Sequence, residues 1–404
     1  MFIERNRRRA RRTVQTGLSL VEIMVGVLIG MIGIVVIFQM LATSESRKRT
    51  ASAGSDVQVT GAIALTSIER DVREGGYGFS SAGFDTGSTP AMGCTVNAYD
   101  SARPTAAYTY PLTPVQIIQG AAGASDTVIV LRGNGNTFPA AHVFTESSDT
   151  SKKTRGRAGI SPRDYLLVAT VVDAPPSKTC MAIEVTDVAN ADALTIAHNQ
   201  GSYSYTTYLP DGTTSPATRI ARHNNPTPPV TFTSGFLFNL GSGPRRNIWA
   251  VNNGKLEVTN DLLYQDTNGN GTNDPVEIAD NVITLQAEYG VDANNNGRIE
   301  PGEWTTTDPA GNQWANVLAV RLGILMRSGQ FERSAVTSEN QATYPGSAPP
   351  PRWTGGQFVL TNLDGSASDT TPTDPANNWR HYRYRVYETV IPLRNMLWGT
   401  QIRP

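Results

Sequence analysis

The 404-residue sequence predicts an α+β chain: one long N-terminal helix, apolar over its first part, packed on a large β-rich domain with long loops. Three observations predict it. Residues 18–42 read LSLVEIMVGVLIGMIGIVVIFQMLA, with Glu22 as the single charge. Residues 43–74 keep a helical pattern, with Leu65, Ile68 and Val72 at spacings of three and four, until Gly75-Gly76 stops it. Beyond that point, helical spacing gives way to short β-branched and aromatic runs bounded by Gly, Pro, Asn and Asp.

The apolar run exceeds the roughly 7–15 residues of a signal-peptide core. It matches the roughly 20 residues that span a bilayer. Before it stand Arg5, Arg7, Arg8, Arg9, Arg11 and Arg12, against Arg47, Lys48 and Arg49 after it. That asymmetry places the N-terminus in the cytoplasm and the bulk of the chain outside. A carboxylate in such a span costs about 2.5–3.5 kcal/mol on insertion scales, so Glu22 needs a partner or a task. Gly26, Gly30 and Gly33 allow close helix–helix approach in a bundle.

The strand candidates are 127–132, 165–172, 181–185, 232–240, 282–289, 317–326 and 382–391. Asn253-Gly254, between 248–251 and 256–258, is a hairpin-turn signal. Polar stretches at 145–162, 202–229 and 334–378 read as long surface loops. The soluble part reads as one elaborate domain, with a possible subdivision near Pro229. Cys94 and Cys180 are the only cysteines: either a bridge formed in an oxidising compartment or two unrelated buried thiols.

Two segments carry a calcium-loop pattern, D-x-[DN]-x-[DN]-G-x5-E. In the second, Asp292, Asn294 and Asn296 supply side-chain oxygens at positions one, three and five. Gly297 makes the sharp turn, Arg298 offers a backbone carbonyl at seven, and Glu303 closes the shell at twelve. The first places Asp266, Asn268, Asn270, Gly271, Thr272 and Glu277 in the same register. Asn/Asp/Gly clusters also form plain turns. As metal sites the loops would be structural Ca2+ sites of weak affinity, about 10⁻⁴–10⁻³ M, because each holds few negative charges.

The N-terminal context Gly17-Leu18-Ser19-Leu20-Val21-Glu22, behind a short basic leader, resembles the class III signal of type IV pilins and type II secretion pseudopilins. Later segments sharpen the likeness: Asp71-Val72-Arg73-Glu74-Gly75-Gly76-Tyr77-Gly78, then Tyr289-Gly290-Val291-Asp292. NVLAVRLGILMRS at 316–328 and YRVYETVIPLRN at 384–395 extend it. Together these resemble the PilW family of minor pilins, which is similar in turn to the pseudopilin GspJ. The resemblance implies a type IV pilin-like fold divided into a leader (1–17), a transmembrane and polymerisation helix (18–42), its amphipathic continuation (43–75) and a globular domain (76–404). It implies that a prepilin peptidase cuts after Gly17 and methylates Leu18. Glu22 would then compensate the amino terminus of a neighbouring subunit. The implied partners are other minor pilins and the major pilin, a PilY-type tip adhesin and the inner-membrane assembly platform. The implied task is to prime pilus assembly and sit near the tip. A GspJ-type pseudopilin is the alternative within this class.

A net charge of −1 excludes the basic excess of a nucleic-acid binder. His142, His198, His223 and His381 form no H-E-x-x-H, and neither G-x-S-x-G nor a phosphate loop is present. The sequence therefore reads as non-catalytic, with a membrane-anchored periplasmic hydrolase as the competing class. Because residues 1–17 hold six Arg and one Glu, their removal takes the net charge from −1 to −6.

Overall fold

The computed structural model describes residues 17, 19–80, 91–134, 140–170, 179–186, 194–227, 231–360 and 378–400. The leader up to residue 16, Leu18, Pro229 and most of the 361–378 stretch lie outside them. The chain forms two compact units, Met1–Ser55 and Asp56–Pro404.

One helix spans Leu20–Arg73, with Glu22 in its first turn. In the first unit its apolar side chains are exposed, Leu20, Phe38 and Met40 among them, and this stretch is long and apolar enough to cross a membrane. In the second unit, Val57, Ala64, Ile68 and Val72 are buried in the main core. Their successive spacings of seven, four and four put them on one helical face. Gly61 lies on that face because the helix approaches Tyr387 closely: a Cβ there would sit 2.3 Å from the tyrosine ring. The Tyr387 hydroxyl donates to the Val57 carbonyl at 3.0 Å.

Residues of three main sheets share the core with this helix segment. An eight-stranded sheet runs, in spatial order, Ala107–Pro111, Thr95–Tyr99, Thr179–Glu184, Tyr165–Thr170, Gly235–Asn239, His142–Ser147, Ser151–Thr154 and Thr195–Ala197. Its pairings are antiparallel except Thr95–Tyr99 with Thr179–Glu184. A five-stranded antiparallel sheet orders Val276–Asp280, Lys255–Asn260, Arg245–Asn252, Thr127–Arg132 and Val115–Ile118. A four-stranded sheet orders Trp304–Thr305, Val282–Val291, Val317–Arg327 and Tyr384–Pro392. Gly235–Asn239 lies between strands from before residue 171, so the chain on either side of Pro229 shares one sheet.

The Asn253-Gly254 turn closes the hairpin of Arg245–Asn252 with Lys255–Asn260. Both residues take positive φ, 50° and 76°, as the tight turn of a right-twisted ribbon requires. Two stretches read as loops carry strands instead. Ser202–Tyr208 and Thr214–Ile220 form a separate two-stranded ribbon, and Ser151–Thr154 joins the eight-stranded sheet. Their alternation is written in Ser, Thr and Tyr hydroxyls rather than in apolar residues, which hides the period of two. In the 334–378 stretch, the described residues form a short hairpin, Arg352–Trp353 with Gly356–Gln357, and an isolated bridge between Thr337 and Ala348.

The last helical turn is fastened by a buried carboxylate. Asp71 is 5% exposed. It accepts from Arg132 Nε at 2.9 Å, Asn247 Nδ2 at 2.9 Å and Trp249 Nε1 at 2.8 Å. Arg132 also bonds Glu74 at 2.7 Å. Removing one partner of a buried pair costs about 3–5 kcal/mol. We therefore expect Asp71→Ala to destabilise the fold by about that amount in denaturant titration. Glu146→Ala breaks only the exposed Lys153–Glu146 pair, and should shift stability by less than about 1 kcal/mol.

Candidate functional site

The 292–303 loop connects the long strand Val282–Val291 to the 3-10 turn Pro301–Glu303. Its first residue is fixed by the fold: Asp292 is 3% exposed, and its amide donates to Asn316 O at 2.9 Å. Asp292 Oδ1 and Asn294 Oδ1 both accept the Asn296 amide at 3.0 Å. Asp292 Oδ2 accepts Gly297 N at 2.7 Å, and Asn296 Oδ1 accepts Arg298 N at 2.9 Å. Glu303 folds back, its Oε1 accepting Ala293 N at 3.1 Å and its Oε2 accepting Glu300 N at 2.8 Å. Asn295 and Gly297 hold φ of 58° and 78°.

The 266–277 loop repeats this backbone. Asp266 Oδ1 accepts Gly269 N at 2.7 Å and Asn270 N at 3.1 Å, while its Oδ2 accepts Gly271 N at 2.8 Å. Asn268 Oδ1 accepts Asn270 N at 3.0 Å, and Asn270 Oδ1 accepts Thr272 N at 2.8 Å. Gly269 and Gly271 take φ of 73° and 80°, so both loops turn at positions four and six.

The loops differ at position twelve. Glu277 does not return to its loop. It sits on the edge strand Val276–Asp280, in register with Glu257, and bonds Lys255 Nζ at 2.6 Å. Asp274, at position nine, turns back to the loop instead. Its Oδ2 accepts Thr267 N at 2.7 Å, and its Oδ1 accepts Asn268 Nδ2 at 3.0 Å. In the other loop, position nine is Glu300, whose Oε1 accepts Asn296 Nδ2 at 3.1 Å. The sequence reading omitted both residues. The available signal was the ninth position itself, which completes such shells, often through water.

The donor set of each loop is carboxylate, amide and carbonyl oxygen alone, which fits a hard cation such as calcium. Asp292, Asn294, Asn296, Glu303 and the Arg298 carbonyl would hold it in one loop. Asp266, Asn268, Asn270, Asp274 and the Thr272 carbonyl would hold it in the other.

At the other end of the chain, Gly17 is exposed. The Glu22 carboxylate accepts the Ser19 amide at 3.1 Å through Oε2. That bond uses one of the several acceptor positions of a carboxylate. Cys94 and Cys180 form a disulfide with a Cα–Cα distance of 5.9 Å. It sits where Thr95–Tyr99 and Thr179–Glu184 pair in parallel, Val96 opposite Cys180.

The histidines are held by the fold. Nδ1 of His142 lies 3.1 Å from Gly156 O, that of His223 lies 3.1 Å from Tyr99 O, and that of His381 lies 2.6 Å from Glu332 O. His198, 4% exposed, has Nε2 2.9 Å from Lys152 Nζ. Lys152 also donates to the Ser148 carbonyl at 2.8 Å.

Residues 248–395 match the family model PilW, Type IV Pilus-assembly protein W. The match covers a little over a third of the chain, and over that stretch the chain resembles the PilW family. The matched stretch contains the Asn-Gly hairpin, both oxygen-rich loops and the strand Tyr384–Pro392. Comparison with curated proteins and with solved structures gives no match. By its description, the matched family serves type IV pilus assembly. The single N-terminal apolar helix agrees with membrane anchoring.

The Lys152–His198 pair sets a pH dependence. Burial, and then the Lys152 ammonium, hold His198 down to about 3. In the unfolded chain the imidazole takes a proton below about 6.5. Its stabilising contribution is therefore full above pH 6.5 and is lost progressively as pH falls towards 3. We expect His198→Gln to flatten the loss of stability between about pH 6.5 and 4 by up to about 1.4 kcal/mol per pH unit. Denaturant midpoints across that range check this. Parallel curves for variant and wild type would contradict it.

Proposed function

We propose that this chain is a minor pilin that primes type IV pilus assembly and stays near the pilus tip, without catalytic activity. The single observation carrying the proposal is the PilW match at 248–395, far along the chain from the apolar helix. The leader-like N-terminus is an independent feature that agrees with it. In this proposal a prepilin peptidase cuts after Gly17 and methylates Leu18. The apolar helix holds the subunit in the inner membrane with its globular domain in the periplasm, until polymerisation draws it into the fibre. Glu22 pairs with the amino terminus of a neighbouring subunit, since an ammonium and a carboxylate are held in an apolar bundle more cheaply together than apart. The neighbours are other minor pilins and the major pilin, with a PilY-type adhesin at the tip. The pilin-like division of the helix into membrane and domain-packing halves belongs to the same proposal.

Calcium has a structural role in this reading, holding the two loops of the globular domain. Both loops lie between strands of the two smaller main sheets, so a bound ion would stiffen those strand ends.

Two experiments test it. Mass spectrometry of the protein from a pilus-bearing cell should show N-methylated Leu18 as the first residue. An intact Met1, or a cut elsewhere, would leave the anchored-hydrolase class standing instead. Deletion of the gene should abolish surface pili while leaving type II exoprotein secretion intact; the opposite pattern would make it a GspJ-type pseudopilin.

For calcium, about 10 mM ion against a Kd of 10⁻⁴–10⁻³ M would stabilise each site by roughly 1.4–2.7 kcal/mol. Asp292→Ala should remove one such increment and Asp274→Ala the other, measured by thermal unfolding with calcium or EDTA. Glu277→Ala should keep the full calcium response. If it loses as much as Asp274→Ala does, the reassignment at position nine is wrong.

A further inference from the structure

The ribbon of Ser202–Tyr208 with Thr214–Ile220 stands outside every other sheet among the described residues. Its base is locked by Glu184, which is 1% exposed. Glu184 Oε1 accepts the Tyr203 hydroxyl at 2.5 Å and lies 3.1 Å from Arg219; its Oε2 accepts the amides of Arg222 at 2.8 Å and His223 at 3.1 Å. Arg163 lies 4.6 Å from the Tyr205 ring centroid, on the inner face. The ribbon is thus rigidly based, with its outer face open to solvent.

The hydrogen bonds at its two ends fix which backbone groups point outward. Ala221 N donates to Gly201 O at 2.8 Å, and Leu209 N donates to Thr213 O at 2.9 Å. In an antiparallel ladder, bonded and non-bonded pairs alternate. From either end, the bonded pairs fall at Tyr203–Arg219, Tyr205–Ala217 and Thr207–Ser215 in the observed register. The N–H and C=O groups of Ser202, Ser204, Thr206 and Tyr208 therefore face away from the partner strand. On the return strand, those of Thr214, Pro216, Thr218 and Ile220 do so.

The two edges are not equivalent. Pro216 has no N–H and interrupts the outward row of its strand, a common guard against strand addition. The Ser202–Tyr208 edge has no proline, no charge and no bulge. The ribbon's only charges are Asp211 at the tip and Arg219, which faces Glu184.

We propose that the Ser202–Tyr208 edge is a self-association surface, on which a second copy of this chain adds the same strand antiparallel to it. Two identical uncharged edges meet with no ionic group left unpaired. A two-fold contact of this kind uses the same patch on both copies and so closes on itself. The blocked Pro216 edge stops growth at two copies. Pairing turns an isolated two-stranded ribbon, marginal alone in water, into a four-stranded sheet.

The test uses the full chain in detergent, with mass measured by light scattering on a sizing column. Wild type should contain two copies per particle. S204K/T206K and S204E/T206E place like charges opposite each other across the contact, and each should contain one copy. Both substituted positions are exposed, so each variant should still unfold cooperatively, at a midpoint no higher than that of wild type. Mixing the two variants in equal amounts should restore the two-copy particle. A single-copy wild type overturns the proposal. So does a two-copy particle in both variants, which would place the association elsewhere, for example on the apolar helix. Hydrogen exchange gives an independent readout: the amides of Ser204 and Thr206 should be protected in wild type and exchange freely in the lysine variant.

Discussion

The Asp71 carboxylate is the constraint on which the globular unit depends. The helix brings a charged side chain into the core at the turn where it meets two central strands of the five-stranded sheet. A carboxylate there is tolerable only if its acceptor positions are filled. Arg132 supplies the counter-charge from one strand; Asn247 and Trp249 supply neutral donors from the next. Shifting either strand by one residue would turn these side chains to the opposite face and leave the carboxylate buried and unpaired. The interaction thus selects strand register and helix position together. Val72 beside it and Ile68 one turn earlier contribute apolar burial, which is less sensitive to register.

The same economy of donors explains what was legible in the sequence. The helix could be read because its apolar run and the spacing of Ile68 and Val72 are carried by residues that only burial explains. Asn253-Gly254 could be read because its two positive φ values suit few other pairs of residues. Thr127–Arg132 was legible as a continuous apolar run, being a central strand covered on both faces. Ser202–Tyr208 was not. Half of that strand faces water, and its exposed half is Tyr208 with Ser202, Ser204 and Thr206, residue types that also mark loops. The disulfide was left between two readings because no spacing rule relates positions 86 residues apart. Only the parallel pairing of Val96 with Cys180 brings the two sulfurs together.

In the oxygen-rich loops, the pattern was legible but the choice of closing carboxylate was not. Both loops obey the same spacing through position six, because that part is local: Asx side chains bonding amides two to five residues ahead. Position twelve is different, since by then the chain has entered its next element. After Asp292 that element is the turn Pro301–Glu303, whose amides and carboxylates point back at the loop. After Asp266 it is an edge strand, whose register commits Glu277 to a cross-strand ion pair with Lys255. Glu277 also faces Glu257 across the ladder, a like-charge contact that Lys255 relieves. Pulling Glu277 into the loop would break the strand and leave Lys255 without its carboxylate.

The base of the first loop shows how far that local geometry is tied to the rest of the molecule. Asp261, just ahead of it, bonds Arg246 Nη1 at 2.5 Å and Arg103 Nη2 at 2.6 Å. Arg222 reaches the Tyr264 carbonyl at 2.8 Å while holding Asp100 through Nε at 2.5 Å and Nη2 at 2.7 Å. Asp100 is fully buried, and the bond from Arg222 holds its carboxyl below the usual range against the opposing effect of burial. These arginines join the loop to the end of Thr95–Tyr99 and to the segment that closes the Glu184-locked ribbon. A change in the order of the loop therefore reaches the eight-stranded sheet and the ribbon through paired charges, without requiring any movement of the apolar core. Sheets that share no strand are joined here by buried and half-buried ion pairs, and these pairs, unlike apolar contacts, hold only while both partners stay charged and in register.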